Sequence, residues 1–128
     1  ATQAIAARVD AIYVSTDNTV VSALAALVDV ANSAGVPVMS ADPSSAEGIP
    51  VLAAHGFSYY AMGRATGRLI AELEEGTKIG DIPVMYMTDP SDVDLLLNLD
   101  VAEELGITIP QEIMDSATTV VRDGKIQE

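Results

Sequence analysis

Residues 10 to 41, DAIYVSTDNTVVSALAALVDVANSAGVPVMSA, hold two short apolar segments on either side of an amphipathic one. DAIYVS (10–15) and VPVMSA (36–41) are rich in strand formers, which predicts two strands. Between them, apolar residues recur at three- and four-residue spacing and Gly35 follows, which predicts a helix lying on a sheet. Because each predicted strand is apolar at nearly every position, we expect both of its faces to be covered, as in a parallel sheet with crossover helices.

The same alternation continues along the chain. VLAAHGFS (51–58) predicts a third strand, and residues 59–76 predict a helix in which Gly63 and Gly67 would allow close packing. PVMYMT (83–88) predicts a further strand. Strands that alternate with helices in this way indicate an α/β fold.

The last third of the chain predicts one clear helix. SDVDLLLNLDVAEELG (91–106) begins with a capping residue, Ser91, and ends with a glycine, Gly106. The segments that follow give weaker signals for regular structure, and the end of the chain indicates a turn or a frayed terminus; in order they are ITIPQEI (107–113), SATTVV (116–121) and RDGKIQE (122–128).

Length and composition bound the possible functions. The chain has 128 residues, 49% of them hydrophobic and 20% charged, which is typical of one folded domain. Its formal net charge of -13 repels polyphosphate and anionic lipid, so nucleic acid is a poor candidate partner. The chain contains no cysteine, which removes disulfides, thiolate zinc sites and cysteine nucleophiles together. No apolar stretch approaches the roughly 20 residues that span a bilayer.

Catalytic and cofactor motifs are missing from the sequence. His55 is the single histidine, and no GxSxG elbow accompanies it, so nothing predicts a nucleophilic triad. Neither a Walker A nor a GxGxxG sequence occurs. Asp89, Asp92 and Asp94 lack the glycine and distal glutamate of a calcium-binding loop and are better explained as a solvated helix start. We therefore predict no enzyme activity, no cofactor and no metal.

Two polar loops follow the first two predicted strands. The first contains Ser15, Thr16, Asp17 and Asn18, and the second contains Asp42 and Ser44; if their strands are neighbours, the loops converge beyond the carboxyl ends of the sheet. Helix capping explains Asp17 or Thr16, and an Asx or type I turn explains Asp42. A ligand site explains the remaining polar groups, with free main-chain N–H groups and hydroxyls holding a carboxylate and an aspartate accepting from an ammonium or hydroxyl. Such a site suits a small zwitterion or polyol.

Several motifs in register carry a family resemblance: DAIYVSTDNTVVSALAALV, VPVMSADPSSAEG, HGFSYYAMGRATGRLIAELEEG, DIPVMY and NLDVAEELGITIPQEI. In this order and spacing they resemble the carboxyl-terminal part of ABC transporter substrate-binding proteins of the type I periplasmic-binding fold, in the family associated with uptake of aromatic or related amino acids. The resemblance covers nearly the whole chain, and the family is about twice as long. We therefore expect this sequence to be an incomplete piece of such a protein.

The resemblance implies two flavodoxin-like α/β lobes that close over a ligand. Residues 1–56 would belong to the second lobe, and residues 57–128 would hold a crossing strand and the carboxyl-terminal part of the first lobe. The polar loops would line the cleft, and Phe57 and Tyr59 would contribute aromatic surface at the crossing, although hinge packing explains those two equally well. The implied protein is periplasmic or otherwise extracytoplasmic, secreted or membrane-anchored, and delivers its ligand unchanged to an ABC permease. The piece alone is expected to bind ligand weakly and to self-associate as a homodimer.

Two other classes stay open. A ligand-sensing core of a transcription regulator shares the clamp architecture and would need a DNA-binding segment upstream. A free-standing flavodoxin-like signalling domain would use Asp17 and Asp42 as a magnesium-binding pair. The identity of the ligand is not encoded in any motif of the sequence.

Overall fold

The computed structural model describes residues 1–127 and shows a six-stranded sheet with seven α-helices in that part of the chain. Two short 3₁₀ turns, Ile79–Asp81 and Pro90–Asp92, complete the regular structure there. In chain order the elements are α1 (Thr2–Ala6), β1 (Ile12–Val14), α2 (Asn18–Val21), α3 (Leu24–Ser33), β2 (Val38–Ser40), α4 (Pro43–Ala46), β3 (Ala53–Phe57), α5 (Tyr59–Glu74), β4 (Val93–Asn98), α6 (Leu99–Glu104), α7 (Gln111–Asp115), β5 (Thr119–Arg122) and β6 (Lys125–Ile126).

The strands lie in the order β1-β2-β3-β4-β5-β6. Three neighbouring pairs are parallel, namely β1 with β2, β2 with β3, and β4 with β5, while β5 and β6 form an antiparallel hairpin. Between β3 and β4, the N–H of Asn98 donates to Leu52 O (3.0 Å) and the N–H of Ser58 donates to Asp92 O (2.9 Å). Residue numbers thus fall along β4 as they rise along β3, which is the pattern of antiparallel neighbours.

The chain divides into two compact units. Unit 1 comprises Ala1–Gly56 and Asp94–Glu128, and unit 2 comprises Phe57–Val93. The sequence interpretation kept residues 57–128 together, whereas in the structure the residues from Asp94 onward pack with the first 56. In the structure, β4 and β5 belong to the same sheet as β1, β2 and β3.

The main core of unit 1 lies between one face of the sheet and the first helices. Leu24, Val28 and Ala31 recur on one side of α3 and are fully buried against strand residues such as Val14 and Val38. This confirms the predicted strand–helix–strand unit, and Gly35, at φ +71°, ends the helix in the left-handed conformation that glycine tolerates.

The other face of β1 and β2 differs from the prediction. Tyr13 and Met39 pair across the two strands and are 65% and 42% exposed. Among the described residues, α1 and α3 pack on the opposite face, and a second small core contains Leu52, just before β3, with Val101 and Ala102 of α6. The expectation that both faces of these strands are covered is therefore wrong for this part of the chain.

The predicted helix over 91–106 was wrong in its first half. Residues Val93–Asn98 form β4, in which Leu96 and Leu97 are buried, and the helix α6 is confined to Leu99–Glu104. Leucine has a high intrinsic helix propensity. In residues 93–98, however, the neighbouring strands supply hydrogen-bond partners and side-chain contacts, and these outweigh that propensity. The predicted end is confirmed, since Gly106 adopts φ +67° after the helix.

Unit 2 consists mainly of α5 and an extended segment. α5 packs on the Pro90–Asp92 turn, and within α5 Ala65 is buried. A β-carbon at Gly63 or Gly67 would meet nothing within 4 Å, so the predicted close packing at these glycines is not found among the described residues. PVMYMT (83–88) is not a strand, because a strand needs a hydrogen-bonded neighbour and this segment, with Val84 and Tyr86 largely exposed, has none within residues 1–127.

Candidate functional site

The ends of β1 and β2 bring the two predicted polar loops together. Val14 and Ser40 are partners in the parallel register, and one residue later the N–H of Ala41 donates to Val14 O at 2.8 Å. Residues 15–18 and 41–45 therefore leave adjacent strands at the same edge of the sheet. We call these two loops the polar corner.

In the first loop of the polar corner, Asp17 caps α2. Its Oδ1 accepts hydrogen bonds from the N–H groups of Thr19 (2.8 Å) and Val20 (3.0 Å). Ser15, Thr16 and Asn18 are exposed beside it. Capping thus accounts for one oxygen of one residue, and the hydroxyls and amide of its three neighbours face outward.

The second loop of the polar corner is organised by Asp42, which caps α4. Its Oδ1 accepts from the N–H and Oγ of Ser44 (3.1 and 2.7 Å) and from the N–H of Ser45 (3.4 Å), and its Oδ2 accepts from Ser45 Oγ. Burial alone would raise the pKa of Asp42, but the hydrogen bonds from Ser45 and Ser44 outweigh it and hold the pKa below its ordinary value. With its carboxylate so engaged and the residue only 8% exposed, Asp42 is part of the loop's framework.

Gly56, in β3, lies directly against the second loop of the polar corner. A β-carbon on Gly56 would stand 2.1 Å from Ala41 O and 3.0 Å from Pro43 Cδ. Real β-carbons do not approach so closely, so only glycine lets the start of the second loop lie against β3. The sequence showed Gly56 only as part of a strand, because the contact is with a residue fifteen positions earlier in the chain.

The main-chain N–H groups at the two helix starts differ from the prediction. Free main-chain N–H groups at a helix start were expected to hold a ligand carboxylate, but those of Thr19 and Val20 in the first loop and of Ser44 and Ser45 in the second donate to an aspartate. These four helix-start N–H groups are therefore engaged within the two loops, and exposed side chains remain for a ligand.

Phe57 and Tyr59, the two predicted aromatic contacts, belong to unit 2. Phe57 ends β3 and Tyr59 begins α5, and their side chains are 54% and 55% exposed. Between them, Ser58 is buried and accepts from the N–H of Ala61 as the cap of α5, a role the sequence interpretation missed although serine is a common capping residue. His55 lies exposed within β3.

A concavity lies elsewhere in unit 1. It is an open cleft of about 660 Å³, lined by α6, the segment after it, α7 and the end of β5. The N–H groups of Gly124 and Asp123 donate to Asp100 and keep the pKa of this carboxyl below its ordinary value. Because β4 runs antiparallel to β3, this cleft lies at the edge of the sheet opposite the polar corner.

Within residues 1–127, no group of three or more His, Asp or Glu side chains is arranged to hold a metal ion. Both carboxylate oxygens of Asp42 accept from serines, so a magnesium pair with Asp17 would compete with these hydrogen bonds. No helix in that part of the chain is long and apolar enough to cross a membrane.

Comparison with known proteins gives a consistent result. Residues 1–121 match the family model described as ABC transporter substrate binding protein. The chain is 33% identical over 98 residues to a tyrosine-binding protein of Clostridioides difficile, a stretch that covers 77% of this chain and 27% of that protein.

Two solved structures are similar to this chain. A conserved domain protein from Vibrio cholerae matches with a TM-score of 0.75 and 40% identity, and a Streptococcus pneumonia protein, described as an ABC domain in complex with L-Trp, matches with a TM-score of 0.75 and 31% identity. Each match covers 94% of this chain but only 40% and 39% of the two solved chains. The predicted fold class, an α/β lobe with a mostly parallel sheet of the periplasmic-binding type, is confirmed.

Proposed function

Because this chain belongs to the family of ABC transporter substrate-binding proteins, we propose that it is part of a protein that captures an amino acid, or a similar small polar molecule, for uptake. The observation that carries the proposal is the polar corner, where the hydrogen bond from Ala41 N–H to Val14 O holds two polar loops side by side. Its exposed hydroxyls, amide and carboxylate match the groups of a small zwitterion. The family binds solutes and is not a family of enzymes.

The ligand class is supported by two relatives. One is named for tyrosine binding and another was solved with L-Trp, so an aromatic amino acid is the first ligand to test. In this chain Phe57 and Tyr59 provide exposed aromatic surface that suits such a side chain. We propose that they contribute to the site together with Ser15, Thr16, Asp17, Asn18 and Ser44.

In the full-length protein, we propose that two lobes close over the ligand. Closure can shift the equilibrium between open and closed forms only by as much as the ligand's contacts differ between them. The closed form would then be recognised by an ABC permease. Such a protein works outside the cytoplasm, in the periplasm or at the outer surface of the membrane.

The test is a thermal-shift screen of the full-length protein with the common amino acids, L-tyrosine and L-tryptophan included, followed by calorimetry of each compound that raises the melting temperature. Binding to the native state raises its apparent stability, so an amino acid at about 100 times its Kd should stabilise by about 2.7 kcal/mol. Glucose and a dicarboxylic acid serve as controls of other chemistry. A screen in which no amino acid stabilises the protein would reject the proposed function.

A further inference from the structure

The helix α5 carries its two arginines on the side opposite to its apolar residues. Residues three or four apart lie on the same side of a helix. The apolar stripe of α5 has this spacing and contains four residues: Met62, Ala65, Leu69 and Leu73. Tyr60, Arg64 and Arg68 lie on the other side, and we call them the basic face of α5. Burial of the apolar stripe would therefore leave the basic face in solvent.

The side chains of the basic face are close together and border a concavity. The guanidinium carbon of Arg64 lies 5.9 Å from the centroid of the Tyr60 ring, and Nη1 of Arg64 donates to Tyr60 Oη at 3.5 Å. Together with Arg68, Ser91 and Asp92, these two residues line an open concavity of about 340 Å³. The Asp92 carboxylate accepts from a main-chain N–H of its own turn at 2.9 Å. Within residues 1–127, neither arginine forms an ion pair with a carboxylate.

The stability of α5 does not explain this placement of charge. The last turn contains Glu72 and Glu74 and no basic residue, although cations at its carboxyl end stabilise a helix. Arg68 also precedes Glu72 by four residues, which is the less favourable order for such a pair. Solubility does not require the arginines either, because the chain already has a net charge of -13. The basic face is better explained by an interaction with another molecule.

We propose that the basic face of α5 docks an acidic segment of a partner protein, and that this partner is the permease. The inference rests on the proposed function, which requires contact with a permease without saying where on the protein it lies. Two guanidinium groups one helical turn apart can each bind a carboxylate through two hydrogen bonds. Tyrosine and arginine are also the residue types enriched where interfaces derive most of their binding energy.

The charge of the whole chain makes the basic face selective. The chain has 6 basic and 19 acidic residues, so an acidic segment is repelled by most of the surface and attracted where two arginines are adjacent. Each exposed ion pair adds little affinity, but complementary charges speed the encounter and fix its orientation. Fast and weak docking suits a carrier that must leave the permease after each delivery.

The experiment measures delivery to the permease separately from ligand binding. Right-side-out membrane vesicles are prepared from cells that lack the gene for this protein but retain the permease. They receive purified full-length protein loaded with radiolabelled L-tyrosine, or with the amino acid that the thermal-shift screen selects. Uptake is followed as the concentration of the protein is raised. The half-saturating concentration of the protein reports docking, and calorimetry on the same samples gives the Kd of the ligand.

Arg64→Glu combined with Arg68→Glu should raise the half-saturating concentration about tenfold or more, with the ligand Kd within about twofold of the wild-type value. Glutamate is a good helix former, so α5 should persist in this variant, which circular dichroism checks. Wild-type uptake at low protein concentration should fall as KCl is raised from about 50 to about 300 mM, because salt screens exposed charges. The double variant should lose this salt dependence.

Two further pairs of substitutions are the controls. Arg64→Lys combined with Arg68→Lys keeps the positive charges, so uptake should retain its salt dependence. Arg8→Glu combined with Lys125→Glu changes the net charge by the same amount at exposed positions of unit 1. Its half-saturating concentration should stay within about twofold of the wild-type value, because these positions lie outside the basic face.

Three results would overturn the inference while leaving the proposed function intact. They are an unchanged half-saturating concentration in the Arg64 and Arg68 glutamate variant, an equal rise in the Arg8 and Lys125 variant, and a weakened ligand Kd in the former. Wild-type protein that binds its ligand but supports no uptake would reject the permease as the partner. Wild-type protein that binds no amino acid would instead reject the proposed function, and the inference with it.

Discussion

Gly56 lies so close to Ala41 that a β-carbon at residue 56 would stand 2.1 Å from the carbonyl oxygen of Ala41. Gly56→Ala should therefore force the second loop of the polar corner away from β3 and destabilise unit 1 by about 1–3 kcal/mol, the usual cost of overpacking. Urea unfolding of the full-length protein measures the change. Gly63→Ala is the matched control: its β-carbon meets nothing and lies in α5, so it should stabilise by up to about 1 kcal/mol. Equal effects of the two substitutions would contradict the close approach.

The hydrogen bonds that Asp42 accepts make the stability of unit 1 depend on pH. Its hydrogen bonds place the pKa of the folded carboxyl below the ordinary value of 3.8, so its stabilisation is complete above that pH and is lost as the pH falls through the folded value. Asp42→Asn should be less stable near neutral pH, and its stability should fall less steeply than that of the wild type as the pH falls below about 5 and through the folded pKa of Asp42. Urea unfolding at a series of pH values, followed by circular dichroism, measures both. Parallel pH profiles for the two proteins would argue against this assignment.

Asp17 and Asn18 are adjacent but should respond differently to alanine. Asp17→Ala removes the cap of α2 and should cost about 1 kcal/mol of stability, within the range of about 0.5 to 2 for lost caps. Asn18→Ala removes an exposed amide and should change stability by less than about 0.5 kcal/mol, yet weaken ligand binding in the full-length protein. Unfolding and calorimetry on the same samples separate the two effects. Normal ligand affinity in Asn18→Ala would exclude its amide from the site.

Asn98 tests where α6 begins. Its side chain accepts from the N–H groups of Asp100 and Val101, so Asn98→Ala should destabilise by about 0.5 to 2 kcal/mol. In a helix that extended over residues 91–106, the same change would fall in the helix interior and stabilise slightly, because alanine is the better helix former. Glu103→Ala, at an exposed position of α6, is the control and should stay within about 0.5 kcal/mol. A more stable Asn98→Ala variant would instead support a helix over residues 91–106.

The predicted homodimer can be tested at the exposed pair Tyr13 and Met39. We expect the 128-residue chain studied alone to self-associate, and we propose that this uncovered face of β1 and β2 takes part. Met39→Lys should then shift sedimentation velocity profiles toward the monomer, because a charge would be buried in the contact. Val84→Lys introduces the same charge at another exposed apolar position, in unit 2, and is the control. Unchanged association in Met39→Lys would show that this face does not take part in the contact.

Interactions between near neighbours in the chain were the ones that the sequence could predict. The residue types predict a helix cap at Asp17 or Thr16 and an Asx or type I turn at Asp42, and in the structure Asp17 and Asp42 each cap a short helix. Gly35 and Gly106 were expected to end helices and do so. Each of these features depends on side chains and backbone groups within about four residues, so the residue types carry the information directly.

The sequence by itself therefore determined the α/β class, the first strand–helix–strand unit and the two polar loops, because hydrophobic periodicity and capping chemistry are local. The tertiary structure alone decided that Val93–Asn98 is a strand and that 83–88 is not, since a strand exists only where another strand supplies hydrogen-bond partners. It also decided the unequal roles of Asp17 and Asp42: the packing of the second loop against Gly56 and the burial of its carboxylate depend on residues brought together by folding.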